Sequence, residues 1–303
     1  MLEYEEDGVI KVKVNTTDAE LVGTFYDSSS DKGIILFPGF TEHRSSLDET
    51  AKRLNKHFKA WTFDINSQGE STGDWDLKQM TQSVHEIQEQ LRKRYGLKKL
   101  GALGNSIGGM AVGIVAAEDS DSLDAVCLTT TPVGLQDYTP DFINKIISYI
   151  PQQLFRAVTL SFDRWASERN ENYRKKTHSQ FKIKRGYRPY AQFGALKISN
   201  LKKFMGYIRD APRIDEYVHF IEQPILFIYG GNDKLNGIKN NELPKSLKNM
   251  IDKTGSKQKA VFVVEGADHS LNTKTQIDDC FNQDRRHQFV KEYIVNHFTE
   301  HLL

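Results

Sequence analysis

The sequence predicts an α/β protein: a mostly parallel, eight-stranded sheet with helices on both faces, interrupted by a helical insertion. Three observations carry that expectation. Eight apolar or alternating runs recur along the chain. The later runs are short and continuously apolar, as strands buried on both faces must be. Segments with helical spacing lie between many of them, the order that a parallel sheet covered on both sides requires.

Val9–Val14 and Glu20–Tyr26, joined by a short Asn-Thr-Thr-Asp link, predict an antiparallel hairpin at the sheet edge. Gly33–Phe37 and Ala60–Ile65 are the next strands, and Ser45–Phe58 between them sets Leu47, Ala51, Leu54 and Phe58 on one helical face. Met80–Tyr95 repeats the pattern with Val84, Ile87 and Leu91. Lys99–Leu103 predicts a strand, Ile107–Ala117 a helix of small apolar residues, and Ala125–Thr130 another strand. After Pro132 the rhythm breaks. Phe142, Ile143, Ile146, Ile147 and Ile150 keep helical spacing, and Pro151, Pro189 and Pro212 punctuate the remainder of the insertion. Strand patterns return only at Ile225–Tyr229 and Ala260–Val264. The expected organisation is therefore a core of residues 1–133 and 221–303 with a helical insertion at 134–220.

Composition limits the function classes. The 303 residues suffice for a full core, and 41 basic against 40 acidic side chains leave no net field to hold the molecule on nucleic acid or an anionic membrane. The charge is uneven, however: residues 151–210 hold fourteen Lys or Arg against four Asp or Glu. A basic insertion of this kind is a solvated face, a docking surface for an anionic partner, or an attractor for an anionic substrate. Lys175, Lys176, Lys182, Lys184, Arg185 and Arg188, with Tyr187 and Tyr190, motivate the second reading, and peripheral membrane contact is one form of it. Nucleic acid is not the expected partner. The opening residues include Glu3, Glu5, Glu6 and Asp7 with no long apolar stretch, so neither a leader nor a membrane span is expected, and the cytosol is the expected location. Cys127 and Cys280 are the only cysteines, and the histidine spacing suggests no metal cluster; no metal or cofactor is expected.

The segment that carries chemistry is Gly104-Asn-Ser106-Ile-Gly108, a G-x-S-x-G pattern between a strand and a helix. So tight a turn forces the serine into an unusual backbone conformation and pushes its hydroxyl above the sheet edge, while glycines two residues either side make room. Small residues there also serve helix-on-strand packing alone. A serine hydroxyl needs a base, because it does not ionise by itself. His269 stands in Gly266-Ala-Asp-His directly after the last predicted strand, where its loop meets that of Ser106. His57, His85, His287, His297 and His301 read as surface residues, and His43 and His219 as weaker alternatives. Asp233, in Tyr229-Gly-Gly-Asn-Asp after the penultimate strand, is the expected orienting acid, with adjacent Asp268 a poorer one. The chain order Ser106, Asp233, His269 is the one expected of a hydrolase of this architecture. The second strand-end loop, Phe37-Pro-Gly-Phe40, turns close at Gly39, so the N–H groups of Phe40 and Ile107 are the expected oxyanion donors.

On these segments, together with Phe63-Asp-Ile-Asn-Ser-Gln-Gly-Glu-Ser71, the sequence resembles the α/β-hydrolase fold superfamily. The likeness is strongest to serine esterases, monoacylglycerol-lipase-like and feruloyl-esterase-like members with a helical cap after the sixth strand. The resemblance implies that Ser106 attacks, His269 shuttles the proton, Asp233 orients it, and residues 134–220 cap an acyl pocket. Two positions depart from the family pattern. Pro38 replaces the usual histidine of the oxyanion loop, and Asn66 and Ser67 replace the arginine and first glycine of D-x-R-G-x-G-x-S. The expected activity is hydrolysis of carboxylic esters of small or medium acyl or aryl groups through an acyl-serine, acting on a small molecule. Thioesterase or small-aminopeptidase activity from the same residues is the alternative, and a binding module with a basic docking face is the alternative of another class. The sequence leaves the oligomeric state open.

Overall fold

A computed structural model describes residues 1–6, 8–40, 42–74, 76–135, 211–269, 271 and 280–303. The strands are β1 (Leu2–Glu6), β2 (Val9–Asn15), β3 (Glu20–Tyr26), β4 (Lys32–Phe37), β5 (Lys59–Phe63), β6 (Lys99–Asn105), β7 (Ala125–Thr129), β8 (Ile225–Gly230) and β9 (Lys259–Val264). Among the described residues the helices are α1 (Asp48–Leu54), α2 (Leu77–Tyr95), α3 (Ile107–Glu118), α4 (Lys245–Lys253) and α5 (Cys280–Leu302).

These strands form one sheet in the order β1-β2-β3-β5-β4-β6-β7-β8-β9. The β1–β2, β2–β3 and β3–β5 pairs are antiparallel, and every pair from β5 to β9 is parallel. The expected class is thus present with one correction, since among the described residues the sheet has nine strands rather than eight. β1 escapes a hydropathy reading because it is acidic. Its charges are met from other elements: Arg94 Nε and the Tyr95 hydroxyl of α2 donate to Glu3 at 2.7 and 2.6 Å, and Lys11 on the adjoining β2 pairs with Glu6 at 2.5 Å.

Strand alternation builds a core on each face. Ile35, Phe37, Trp61, Ala102, Val126 and Phe227 pack under α2, α3 and α4, while Ile34, Leu36, Ala60, Leu103, Cys127 and Ile228 pack under α1 and α5. Helix α2 shows why the helices sit where they do. Asp76 caps its start by accepting from the N–H of Lys78 and Gln79, Met80, Val84, Ile87 and Leu91 are buried at helical spacing, and Gly96 ends it in the left-handed region with φ 60°. The helix expected over Ser45–Phe58 is shorter than its apolar spacing. A 3-10 turn over Arg44–Leu47 precedes α1, and Phe58, although fully buried, lies beyond the helix end. Helix α5 is not among the expected elements. Val290, Ile294, Phe298 and Leu302 form its buried stripe, masked in sequence by the charged residues between them.

Most of the insertion expected at 134–220, with its isoleucine-rich run and basic surplus, lies outside the described residues. Among the described residues no helix is long and apolar enough to cross a membrane.

Candidate functional site

The parallel strands bring their carboxyl ends to one edge, so the residues just past β4, β5, β6, β7, β8 and β9 share it. Ser106 is the single residue between β6 and α3 and sits at φ 51°, ψ −115°. That conformation is rare for a residue with a side chain and persists only where the surroundings enforce it. Here they do. The Ser106 N–H donates to the carbonyl of Thr129, and the Ser106 carbonyl accepts from Met110 N–H. A methyl group on Gly104 would lie 2.4 Å from the Gly108 carbonyl oxygen, and one on Gly108 would lie 2.5 Å from that of Pro38. The same closeness seats the Pro38–Phe40 loop against the first turn of α3, whose unpaired N–H groups point toward this edge.

His269 and Asp233 complete the arrangement. His269 Nε2 lies 2.9 Å from Ser106 Oγ, and His269 Nδ1 lies 3.0 and 2.9 Å from the two carboxylate oxygens of Asp233. A carboxylate only accepts, so Nδ1–H donates to it, which leaves the Nε2 lone pair to accept the Ser106 hydroxyl proton. Asp233 is fully buried, while a fifth of the His269 side chain is exposed. The buried carboxylate is anchored by the N–H groups of Leu235 and Asn236 at 3.1 and 3.2 Å and by Asn236 Nδ2 at 2.8 Å. Asp268 is exposed, and the ring of its neighbour His269 is held by Asp233 instead.

The other expected residues are also near this edge. Ile107 is buried at the start of α3, and Phe40 is half-buried against the core. The Phe40 loop is braced by residues that its sequence does not advertise. Gly39 N–H donates to Glu42 Oε2 at 2.8 Å, Glu42 N–H donates back to the Gly39 carbonyl, and Gln68 Nε2 reaches that carbonyl at 3.1 Å. Asn105 Nδ2 donates to the same Glu42 oxygen at 2.9 Å.

Behind the loop lies a second buried polar cluster. Arg44 pairs with Asp64 through its guanidinium and through its backbone N–H at 2.8 Å, His43 Nε2 lies 3.3 Å from Asp64, and Arg44 also meets Glu70 at 3.1 Å. Lys11 joins Glu70 at 2.9 Å. Burial alone would raise the Asp64 carboxyl, but His43 and Arg44 beside it, with the hydrogen bond from Arg44 N–H, outweigh it and hold the group well below the carboxylate range. Asn66 stands where the resembled family has arginine, and the guanidinium that meets Asp64 comes from Arg44. Ser67, where the resembled family has glycine, keeps a left-handed φ of 62°.

The remaining histidines separate by position. His43 is buried against Asp64, and His219 is exposed on a 3-10 turn ahead of β8, at the opposite sheet edge. His57 is exposed, whereas His85 and His301 are half-buried. His297, expected at the surface, is instead buried, with its Nε2–H donating to the Val126 carbonyl at 2.9 Å. Burial, with His301 nearby, lowers its pKa to about 4. The His287 side chain lies outside the described residues. A cavity of about 560 Å³ lined by Leu77, Thr81, His85, Ile114, Glu118 and Tyr217 opens beside the C-terminal half of α3, away from Ser106. Among the described residues no group of three His, Cys, Asp or Glu could hold a metal ion.

The fold is that of the α/β-hydrolases. The chain superimposes on an enol-lactonase from Burkholderia xenovorans LB400 with a TM-score of 0.63 and 16% identity, covering 95% of this chain and 100% of the other. An esterase from Pyrococcus furiosus matches with a TM-score of 0.61 and 15% identity over 97% and 92% of the two chains. A monoacylglycerol lipase from Paleococcus ferrophilus gives 0.57 and 17% over 92% and 99%. Residues 28–276 match the family described as serine aminopeptidase, S33, and the chain belongs to that hydrolase family. No curated protein sequence matches it.

Proposed function

We propose that the chain is a serine hydrolase that cleaves carboxylic esters of small or medium acyl or aryl groups through an acyl-serine intermediate. The observation that carries this reading is the unbroken hydrogen-bonded path Ser106–His269–Asp233, assembled from three loops at one sheet edge. Ser106 Oγ attacks the ester carbonyl as His269 Nε2 takes its proton. The N–H groups of Phe40 and Ile107 receive the oxyanion. The C–O bond to the leaving group then breaks, and His269 returns the proton to the departing alcohol. A water molecule attacks the acyl-Ser106 in the same way, with His269 again as base, and releases the acid. Asp233 keeps the imidazole in the tautomer that leaves Nε2 able to accept.

Esterase and lipase neighbours of the same fold, and membership of a hydrolase family, support the class of chemistry. The family description favours a second reading, in which the same groups cleave an aminoacyl amide; a thioester is the third substrate class for the same residues. The expected cap at 134–220 and its basic surplus belong to the proposal as the source of acyl selectivity and of attraction for anionic groups. Assay of p-nitrophenyl esters, acyl thioesters and aminoacyl p-nitroanilides ranks the three. The expected outcome is ester turnover in the parent chain and a loss of about ten-thousandfold or more in Ser106→Ala. Equal turnover by the variant overturns the mechanism, and preference for the anilide overturns the ester assignment alone.

A further inference from the structure

Glu42 stands where two loops of the site meet. A single carboxylate oxygen, Oε2, accepts from Gly39 N–H at 2.8 Å and from Asn105 Nδ2 at 2.9 Å. Gly39 immediately precedes Phe40, and Asn105 immediately precedes Ser106 and Ile107. One acceptor therefore ties together the two segments that bear the oxyanion donors.

The tie continues past Asn105. Its Oδ1 accepts from the hydroxyls of Thr129 and Thr130, both at 2.9 Å. Thr130 holds φ at 46°, a conformation that a β-branched residue adopts only under constraint. Its carbonyl accepts from Asn236 Nδ2 at 2.8 Å, and the same amide donates to Asp233 Oδ2 at 2.8 Å. A hydrogen-bonded path thus runs from Gly39 through Glu42, Asn105, Thr130 and Asn236 to Asp233, and returns through His269 to Ser106.

We propose, on the reading that this site is a serine hydrolase, that Glu42 is a positioning residue holding the Phe40 and Ile107 N–H groups at the separation an oxyanion needs. A carboxylate can only accept, so both donors must converge on it, and hydrogen bonds to a charged acceptor are the stronger kind. Donors aimed at a developing oxyanion are effective when they are fixed before the charge appears. Loss of the carboxylate leaves Gly39 N–H and Asn105 Nδ2 without their common acceptor, while Gln68 still holds the Gly39 carbonyl. The loop then keeps its course but loses its register with Ser106, a defect felt by the transition state more than by bound substrate.

The test is steady-state kinetics of Glu42→Ala and Glu42→Gln on p-nitrophenyl acetate, with thermal unfolding measured beside it. Glu42→Ala is expected to lower kcat by about 10- to 100-fold with KM within about threefold of the parent. Glu42→Gln, whose amide oxygen can still accept from both donors, is expected to restore kcat to within about fivefold. Where Glu42→Ala fails to fold, Glu42→Asp replaces it, since an arm one methylene shorter cannot meet both donors and predicts the same split. An unchanged kcat, a loss carried by KM, or losses in both variants that follow a lowered unfolding midpoint overturn the proposal. Fluorophosphonate labelling of the parent separates the two claims. A parent chain that takes no label at Ser106 overturns the hydrolase reading and this proposal with it; a labelled parent with unchanged kcat in Glu42→Ala overturns this proposal alone.

Discussion

Two buried polar clusters lie along the same sheet edge, and they are finished differently. Around Asp64, each charge is opposed: Arg44 by Asp64 and Glu70, Lys11 by Glu6 and Glu70, and His43 stands against Asp64. Around Ser106, one buried carboxylate is held by Asn236, Leu235 and His269, and the path ends on a hydroxyl beside a partly exposed imidazole. The first cluster spends its charges on one another, and its role is to lock the loop after β5 to the loop after β4. The second ends at the hydroxyl that, on the proposed reading, attacks the substrate carbonyl. Mutual pairing ties two loops together; a path that ends on a hydroxyl beside an imidazole is the arrangement the proposed chemistry needs.

Substitutions should separate the two clusters by which quantity they change, activity or stability. The largest effect expected is on rate, in Asp233→Asn. An amide in place of the carboxylate can present N–H to His269 Nδ1 and turn the ring to the tautomer whose Nε2 cannot accept from Ser106. Ester turnover should fall by about ten-thousandfold with little change in unfolding midpoint; a rate within tenfold of the parent would sever Asp233 from the mechanism. The reverse split is expected in Asp64→Asn. It leaves Arg44 buried with half its counter-charge, a change that costs about 3 kcal/mol of stability, while the folded fraction keeps most of its kcat. Chemical denaturation paired with activity per folded molecule measures both, and a stable but inactive variant would erase the distinction between the clusters.

A smaller effect comes from His297, which belongs to neither. Its pKa is lowered in the fold to about 4 from an ordinary 6.5, so the unfolded chain binds its proton more readily. The stability it supports is fully present above pH 6.5 and is lost progressively as pH falls from 6.5 toward 4. Replacement by Gln, whose amide N–H can still donate to the Val126 carbonyl, should flatten the stability profile in that window. A parent profile identical to that of His297→Gln would contradict the assignment.

How much of the molecule is legible in its sequence depends on how local each signal is. Strands β2 to β8 are legible because burial on one or both faces leaves apolar or alternating runs; β9 is legible from its apolar run, although only Val264 of it is buried and Ala260 and Val261 are exposed. β1 is not, because Glu3 and Glu6 find their partners on α2 and β2. The stripe Val290, Ile294, Phe298, Leu302 in α5 stands at four-residue spacing, but the polar residues between obscure it, and His297 reads as exposed for the same reason. In the site, Ser106, Asp233 and His269 each lie directly or within a few residues past a strand, so spacing alone points to the edge where the structure brings them together. Glu42, Asn105, Thr130 and Asn236 act through bonds between loops, which no periodicity encodes. The one local hint is their offset: Glu42 lies three residues after Gly39, and Asn236 three after Asp233. Arg44 shows the limit most clearly, since it serves Asp64 from twenty residues away where the family pattern would have placed an arginine two residues on.

The central claim is that turnover passes through a covalent acyl group on Ser106. Mixing the parent chain with a p-nitrophenyl ester, quenching in acid during turnover, and measuring intact mass and then peptide masses tests it directly. The expected result is an added acyl mass on the peptide that contains Ser106, absent from Ser106→Ala. Turnover with no acyl mass at Ser106, or an adduct on any other residue that forms and decays at the rate of turnover, would contradict it.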